Sequence, residues 1–597
     1  MRLRFGIVIG IFFAALSLYP QISLKYTRGA EYNGSVAYVD FDEPAYAGYL
    51  QAVIDGRSGS TNIYAGGEVD PAKETFWSVQ SLPAHAIAIP ARALGLSAEQ
   101  TFVILCPLAA FFAAFSICWF FGKILGDNAL AAVGTIFVLA LGPLLAANGA
   151  AKAITGLGNA TIAMPFLRRY TPAVAFPFLF VFFGSVWSFI RADDRKKRIV
   201  YAVFTAVAFA VLLYSYLYLW TAASAWLAFL VAYLLVFRDR STSLSARHLV
   251  SLAVAILMTA VPYVWMLLNL GGGNDLIGFE RTRTVVMSRP SIWLGLAIVA
   301  AAIYFAKKNR ILPSSPSTAF TIAFAALPIL VFNQHVITGY SLQPLHYNIY
   351  VANYSSLIAL MLFVGSIFEE RIVASLRPYV VAAAILFAGW AVVETVYATN
   401  YRAGFNIAAD SAVPVSRRLR EIAASCAMTL NYNITQADIQ PAIAPQPVLW
   451  ADHLRYSAVL NATEVRRRYF IYLYFKNKTP DELSREIAMC PASETCIDLF
   501  SPRTNPTLSV DKHLPTTDEI DRAAVEYLQF VNEINGATID EFPIGSLIAA
   551  ANGSEAFTNL DKWYERVNEE RLGAFVLYKL TRKSEIKPPK ASPSPPR

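Results

Sequence analysis

Apolar stretches close to twenty residues long recur about eleven times in the first two thirds of the chain: 5–23, 101–122, 129–147, 173–190, 199–217, 219–237, 249–268, 291–306, 319–332, 350–368 and 379–398. A bilayer's hydrocarbon core is about 30 Å thick, and about 20 apolar residues of helix cross it. The runs therefore predict a polytopic α-helical membrane protein with about eleven transmembrane helices. The two shortest need residues from their flanks. Composition agrees: of 597 residues, 56% are hydrophobic and 15% charged, against roughly 45–50% and about 25% in soluble globular proteins. That excludes a soluble enzyme and a disordered chain. Five cysteines are too few for a secreted disulfide scaffold.

The first run follows Arg2 and Arg4, is long, and has no small-x-small cleavage site behind it. It reads as an uncleaved span. With the N-terminus in the cytoplasm, alternation puts Lys123, Arg191/Arg195/Lys196/Lys197/Arg198, Arg238/Arg240/Arg247, Lys307/Lys308/Arg310 and Arg371/Arg377 inside. The most basic short loops then share one side, as the positive-inside rule requires. The net charge of +8 belongs mostly to them, because the chain beyond residue 398 carries 23 basic against 24 acidic residues. The surplus is a topological signal and implies no nucleic acid. The expected setting is a bacterial inner membrane.

This topology divides the chain into a transmembrane domain over 1–398, with a first outer loop at 24–100, an extracytoplasmic α/β domain over 399–586, and a Pro/Ser/Lys-rich tail, 587–597, expected to be disordered. Shorter outer loops fall at 149–172, 271–290 and 333–348. In the C-terminal domain, 447–451, 469–475 and 574–580 read as strands, and 417–427, 517–534 and 560–570 as helices.

The first outer loop contains Val39-Asp40-Phe41-Asp42-Glu43-Pro44-Ala45-Tyr46-Ala47-Gly48-Tyr49. Pro44 suits a first helical turn, placing Asp42 or Glu43 at a helix N-terminus. Ala45, Gly48, Tyr49 and Ala52 give that helix a face of mostly small residues, expected to lie along the membrane surface. A carboxylate held at the water–lipid boundary can act as general base on an acceptor hydroxyl. The blander role is an N-cap with solvated neighbours.

The string Asp42-Glu43-Pro44-x-Tyr46-Ala47 resembles the first-loop signature of GT-C glycosyltransferases, closest to the protein O-mannosyltransferase and aminoarabinose-transferase type. The layout of first span, long outer loop, helical bundle and C-terminal outer domain resembles theirs too. The resemblance implies a GT-C-like fold and transfer of a sugar from a polyprenyl-phosphate carrier to an extracytoplasmic glycan, lipid or protein acceptor. It also implies a catalytic role for a first-loop acid, Asp42 or Glu43. Asp40 and Asp42 form a D-x-D pair as well, which would hold a divalent cation, Mg or Mn, if the enzyme uses one.

Other outer-side residues suit the same chemistry. Arg168 and Arg169 stand directly before a span, against the positive-inside trend. Arginine binds phosphate bidentately, so either can take the donor phosphate; headgroup binding is the alternative. His346 and Gln343 lie in the polar loop Gly339-Tyr-Ser-Leu342-Gln343-Pro344-Leu-His346, a G-x-x-L-Q-x-x-H stretch similar to ones in bacterial GT-C-like proteins. His346 is a further phosphate candidate, as is Arg281, in a loop that Gly271-Gly272-Gly273 would hinge as a gate. Asp40, Tyr46 and Gln343 are candidate substrate contacts. Glu394, inside the last span, is costly to bury. The aromatic run 214–220 suits an interfacial belt, with the lining of a lipid or sugar groove as the second reading. Cys490 and Cys496 can pair, with Cys426 as a competitor. The rival readings are an O-antigen-type polymerase or ligase, whose large loop would lie mid-chain, and a transporter or flippase, which would show internal repeats.

Overall fold

The computed structural model describes residues 3–583 apart from 58–61, 67–79, 157–163, 165, 169–171, 238–245, 269–279, 368–376, 423–426, 456–459, 461, 491–492, 501–508 and 512–513. Arg169, the Gly271–Gly273 hinge, Arg238, Arg240, Arg371, Cys426 and the tail at 587–597 lie outside the described residues.

Local signals set the ends of the spanning helices. Ala98–Leu125 opens on a capping box in which Ser97 Oγ accepts from Gln100 N and Gln100 Oε1 accepts from Ser97 N. It ends at Gly126, whose φ of +71° suits glycine. Asp127 caps the next helix, Asn128–Leu145, accepting from Ala129 N and Leu130 N. Among the described residues, nine helices are long and apolar enough to cross a membrane. Two more, Phe176–Arg191 and Arg195–Leu213, occupy the predicted runs 173–190 and 199–217. The protein is thus an integral, multi-pass membrane protein.

Aromatic rings fill the bundle's centre. The Phe183 ring lies 4.6 Å from Trp226 and 4.8 Å from Phe324, and Trp226 lies 5.0 Å from Phe320. Polar side chains tie helices together: Asn353 Nδ2 donates to Gly142 O, Asn348 Nδ2 to Ala146 O, and Ser356 Oγ to Ser291 O. In an apolar surround such bonds hold helices in register.

The predicted boundary at 398/399 falls inside one continuous helix, Arg377–Glu421, of 45 residues. The apolar spacing persists beyond the spanning stretch, because Ala409, Ala412, Val413 and Leu419 are buried against the first loop. The predicted helix at 417–427 is therefore the end of this one. Beyond it, strands β3 (Met428–Asn431), β4 (Ile544–Ala550), β5 (Tyr564–Leu572) and β6 (Phe575–Arg582) form a sheet in the order β3-β4-β6-β5. The β3–β4 pair is parallel and the others antiparallel. Helices, including Thr517–Glu533, complete a mixed C-terminal unit.

Two expected elements differ. Residues 469–475 are helical, in Ala462–Phe475, where all seven are buried; an unbroken apolar-aromatic run has no period to separate strand from helix. The predicted helix at 560–570 is a single turn, Leu560–Trp563, and then β5. Residues 447–449 are extended beside β3, with Leu449 N donating to Thr429 O at 3.0 Å. The structure joins Cys490 and Cys496 in a disulfide.

The first loop is latched to the long helix by Asp410, which is fully buried. It accepts from Arg28 Nε at 2.9 Å, Asn33 N at 3.0 Å and Ser35 N at 3.2 Å. Removing the acceptor leaves the Asn33 and Ser35 amides unpaired and Arg28 with Glu31 alone, at a cost of about 1–3 kcal/mol. Asp410→Ala should therefore lower thermal stability in detergent by that order and expose residues 29–40 to limited proteolysis. A melting curve and cleavage pattern like those of the wild type would contradict the latch.

Candidate active site

Alternation of the helices brings the segments after Arg28, Leu145, Leu213 and Thr338 to one end of the bundle, where the C-terminal unit also sits. Two small strands mark this end: β1 (Glu280–Arg281) pairs antiparallel with β2 (Tyr340–Ser341). The turns after the helices that end with Lys123, Arg191 and Lys307 in their last turns lie at the opposite end.

Pro44 starts the helix Glu43–Ile54 at its first turn, with Asp42 at the N-cap position. This helix does not lie along a surface. Every residue from Glu43 to Ala52 is buried, and a Cβ on Gly48 would meet Pro441 Cβ at 3.0 Å. The small residues serve close packing against the C-terminal unit. Ahead of the helix, Asp40 Oδ1 accepts from Asp42 N at 3.1 Å, a local turn that points both carboxylates the same way.

Arg168 meets them. Its Nη2 donates to Asp40 Oδ1 at 2.6 Å and Asp42 Oδ2 at 3.2 Å, and its Nη1 to the Tyr350 hydroxyl. The guanidinium lies 5.7 Å from the Tyr46 ring centre and 5.1 Å from that of Tyr350. Tyr350 is presented by a π-helical turn, Asn348–Ala352, an irregularity common at functional sites. The Arg168 side chain is 2% exposed, that of Asp40 10% and that of Asp42 34%. Asp42 is therefore the carboxylate open to an incoming molecule. Arg168 Nε is buried without a partner among the described residues.

Beside this cluster, Tyr216 hydroxyl and His346 Nδ1 are 2.8 Å apart, and the Tyr218 ring stacks on His346 at 4.4 Å. Tyr218 donates to Gln343 Oε1 at 2.9 Å. The aromatic run at 214–220 thus supplies site residues as well as an interface.

Other candidates lie elsewhere. Glu43 is fully buried, and its Oε2 accepts from Val39 N at 2.8 Å, bracing the acidic turn. Arg281 is exposed, 5.4 Å from the Tyr340 ring centre. Glu394 is buried and accepts from Ala150 N at 2.8 Å, holding the start of the helix Ala150–Ile154. Among the described residues no three His, Cys, Asp or Glu side chains are grouped to hold a metal ion. A divalent cation between Asp40 and Asp42 would have to displace the guanidinium of Arg168; as folded, the pair does not fit one.

No protein-family profile matches the sequence, and no curated protein matches it. Among solved structures, the chain is similar to ArnT from Cupriavidus metallidurans bound to undecaprenyl phosphate (12% identity, TM-score 0.47, covering 95% of this chain and 97% of that one). It is similar to the same organism's ArnT in the apo state (13%, TM-score 0.46, 80% and 94%). It is also similar to an Archaeoglobus fulgidus oligosaccharyltransferase tethered to an acceptor peptide containing the NVT sequon (11%, TM-score 0.45, 97% and 74%).

Besides Tyr350, sequence reasoning missed a site residue from the C-terminal unit, His453. It comes from the turn at 452–455 of the C-terminal unit. Its Nδ1 is 2.7 Å from Asp438 Oδ2, its Nε2 faces Asp42 Oδ1 at 3.6 Å, and its ring lies 4.5 Å from that of Phe41. Burial opposes ionisation of Asp42, but the imidazole of His453 at 3.6 Å and the charge of Arg168 outweigh it. They hold this carboxyl well below the usual carboxylate range. The available signal was a histidine, one of six in the chain, between Asp452 and Arg455 in a buried stretch.

Proposed function

We propose that the chain is a membrane glycosyltransferase of GT-C type, taking a sugar from a polyprenyl phosphate and passing it to an acceptor hydroxyl on the extracytoplasmic side. The observation that carries this reading is Arg168, a buried guanidinium bridging the two first-loop carboxylates at one end of a spanning bundle.

In the reaction, the acceptor oxygen attacks the anomeric carbon while Asp42 takes its proton. The bond from that carbon to the phosphate oxygen breaks, and its electron pair leaves with the polyprenyl phosphate. A single displacement inverts the anomeric carbon, through a transition state of oxocarbenium character. Arg168 neutralises the departing phosphate, offering the N–H at Nε, and His346 with Tyr216 lies on the same side. Asp42 is assigned as base over Glu43 because it is open to the acceptor, whereas Glu43 is spent on Val39. The donor phosphate competes for the guanidinium that depresses Asp42. Donor binding therefore raises the basicity of Asp42 when it is needed.

The test is the lipid that the protein retains. Protein purified in mild detergent should carry polyprenyl phosphate, detected by mass spectrometry. It should release free polyprenyl phosphate from a polyprenyl-phosphate sugar when a hydroxyl acceptor is supplied. No such lipid, together with solute or lipid translocation in proteoliposomes, would refute the reading in favour of a transporter.

A further inference from the structure

The carboxylate open to the acceptor is gripped from two sides by two parts of the chain. Asp42 Oδ2 meets Arg168 of the helical bundle at 3.2 Å, and Asp42 Oδ1 faces His453 of the C-terminal unit at 3.6 Å. His453 is itself fixed. Asp438 Oδ2 holds its Nδ1 at 2.7 Å, and Asp438 Oδ1 accepts from its backbone N at 3.1 Å. Tyr64 donates to Asp438 O at 2.9 Å, and its ring stacks over His453 at 6.4 Å. The histidine side chain is 4% exposed and lies between two carboxylates.

We infer that the Asp438–His453 pair is a positioning element for Asp42, fixing that carboxylate's direction and charge, so that the C-terminal unit completes the transfer site. The inference rests on the reading of Asp42 as the base. An imidazole with a carboxylate on each side favours its doubly protonated form, in which both nitrogens donate. The charged groups facing it are Asp42 from the first loop, Asp438 from the helix Ile434–Ile439, and Asp452 from its own turn, with Arg455 of that turn paired to Asp498. Burial works against protonation of His453, but the charge and hydrogen bond of Asp438, with the charge of Asp42 at 3.6 Å, raise it to about 10. The ordinary value, near 6.5, applies to the unfolded chain. The pairing therefore stabilises the fold fully below about pH 6.5, and that stabilisation is lost as pH rises through about 10.

The experiment uses full-length protein, His453→Gln and Asp438→Asn, with two readouts. In the transfer assay, His453→Gln should lower kcat about 10–100-fold, less than the loss of the group that itself takes the proton, with the donor KM nearly unchanged. The acidic limb of its pH profile should move up by about one unit or more, toward the ordinary carboxyl range. Asp438→Asn should move the limb in the same direction by less. In the second readout, the melting temperature of the wild type should fall more steeply between pH 7 and 11 than that of His453→Gln. An unmoved acidic limb together with a melting profile parallel to the wild type would overturn the inference. A wild type that transfers no sugar would sink the function proposed above, and the melting comparison would still decide the pairing.

Discussion

Asp42→Asn is expected to lower sugar transfer by about 10²- to 10⁴-fold, the usual contribution of a general base, while the protein still inserts, folds and retains polyprenyl phosphate. The amide matches the carboxylate in shape but cannot take the acceptor's proton. Folding should survive because Arg168 keeps Asp40 at 2.6 Å and Tyr350, and because the side chain at 42 is one third exposed. The informative contrast is Glu43→Gln. That residue is fully buried and braces Val39, so its loss should appear in the melting temperature before it appears in kcat. Single-turnover transfer from a labelled polyprenyl-phosphate sugar separates the two, because it reads chemistry rather than product release. Full activity in Asp42→Asn at normal expression would remove Asp42 as the base.

Arg168→Gln should be the most damaging single change, for two separable reasons. The guanidinium compensates Asp40 inside the protein, and breaking a buried pair from one side costs about 3–5 kcal/mol. It is also the group proposed to receive the departing phosphate, so transfer should fall below detection even in the molecules that fold. Asp40→Asn in the same chain removes the stranded charge. The double variant should regain most of the lost melting temperature and none of the transfer. Arg168→Lys should fall between the two, because a single ammonium cannot span Asp40, Asp42 and Tyr350 as a planar fork does. If the double variant regained transfer along with stability, the role of Arg168 would be structural only.

The sequence disclosed the parts of this molecule that have a period or a tight local grouping. Each spanning helix came from a run of one character, and Asp40, Asp42 and Glu43 lie within four residues of one another. Arg168 was legible because it stood on the side where basic residues are scarce. His453 was not, because its partners come from three separate stretches and no spacing links residues 42, 438 and 453 before the chain folds. The helix at 469–475 was hidden for another reason: Tyr, Phe and Ile favour strands in composition, and burial on every side erased the periodicity that would have corrected this. The continuous helix through residue 398 was obscured because its hydrophobicity ends there, while a stripe of small apolar residues carries the helix on.

The wide separation in sequence of the groups around Asp42 has a consequence for the life of the chain before it is complete. Ribosomes add roughly 5–20 residues per second. The first-loop acids therefore emerge tens of seconds before the turn that carries His453. Throughout that interval the acids lie beside a growing bundle, first without Arg168, then with it but without the imidazole. A nascent or truncated chain that ends before the C-terminal unit is consequently an inserted membrane protein with an unfinished site. On the function and the pairing proposed above, sugar transfer would begin only after the last third of the molecule has been made and has docked.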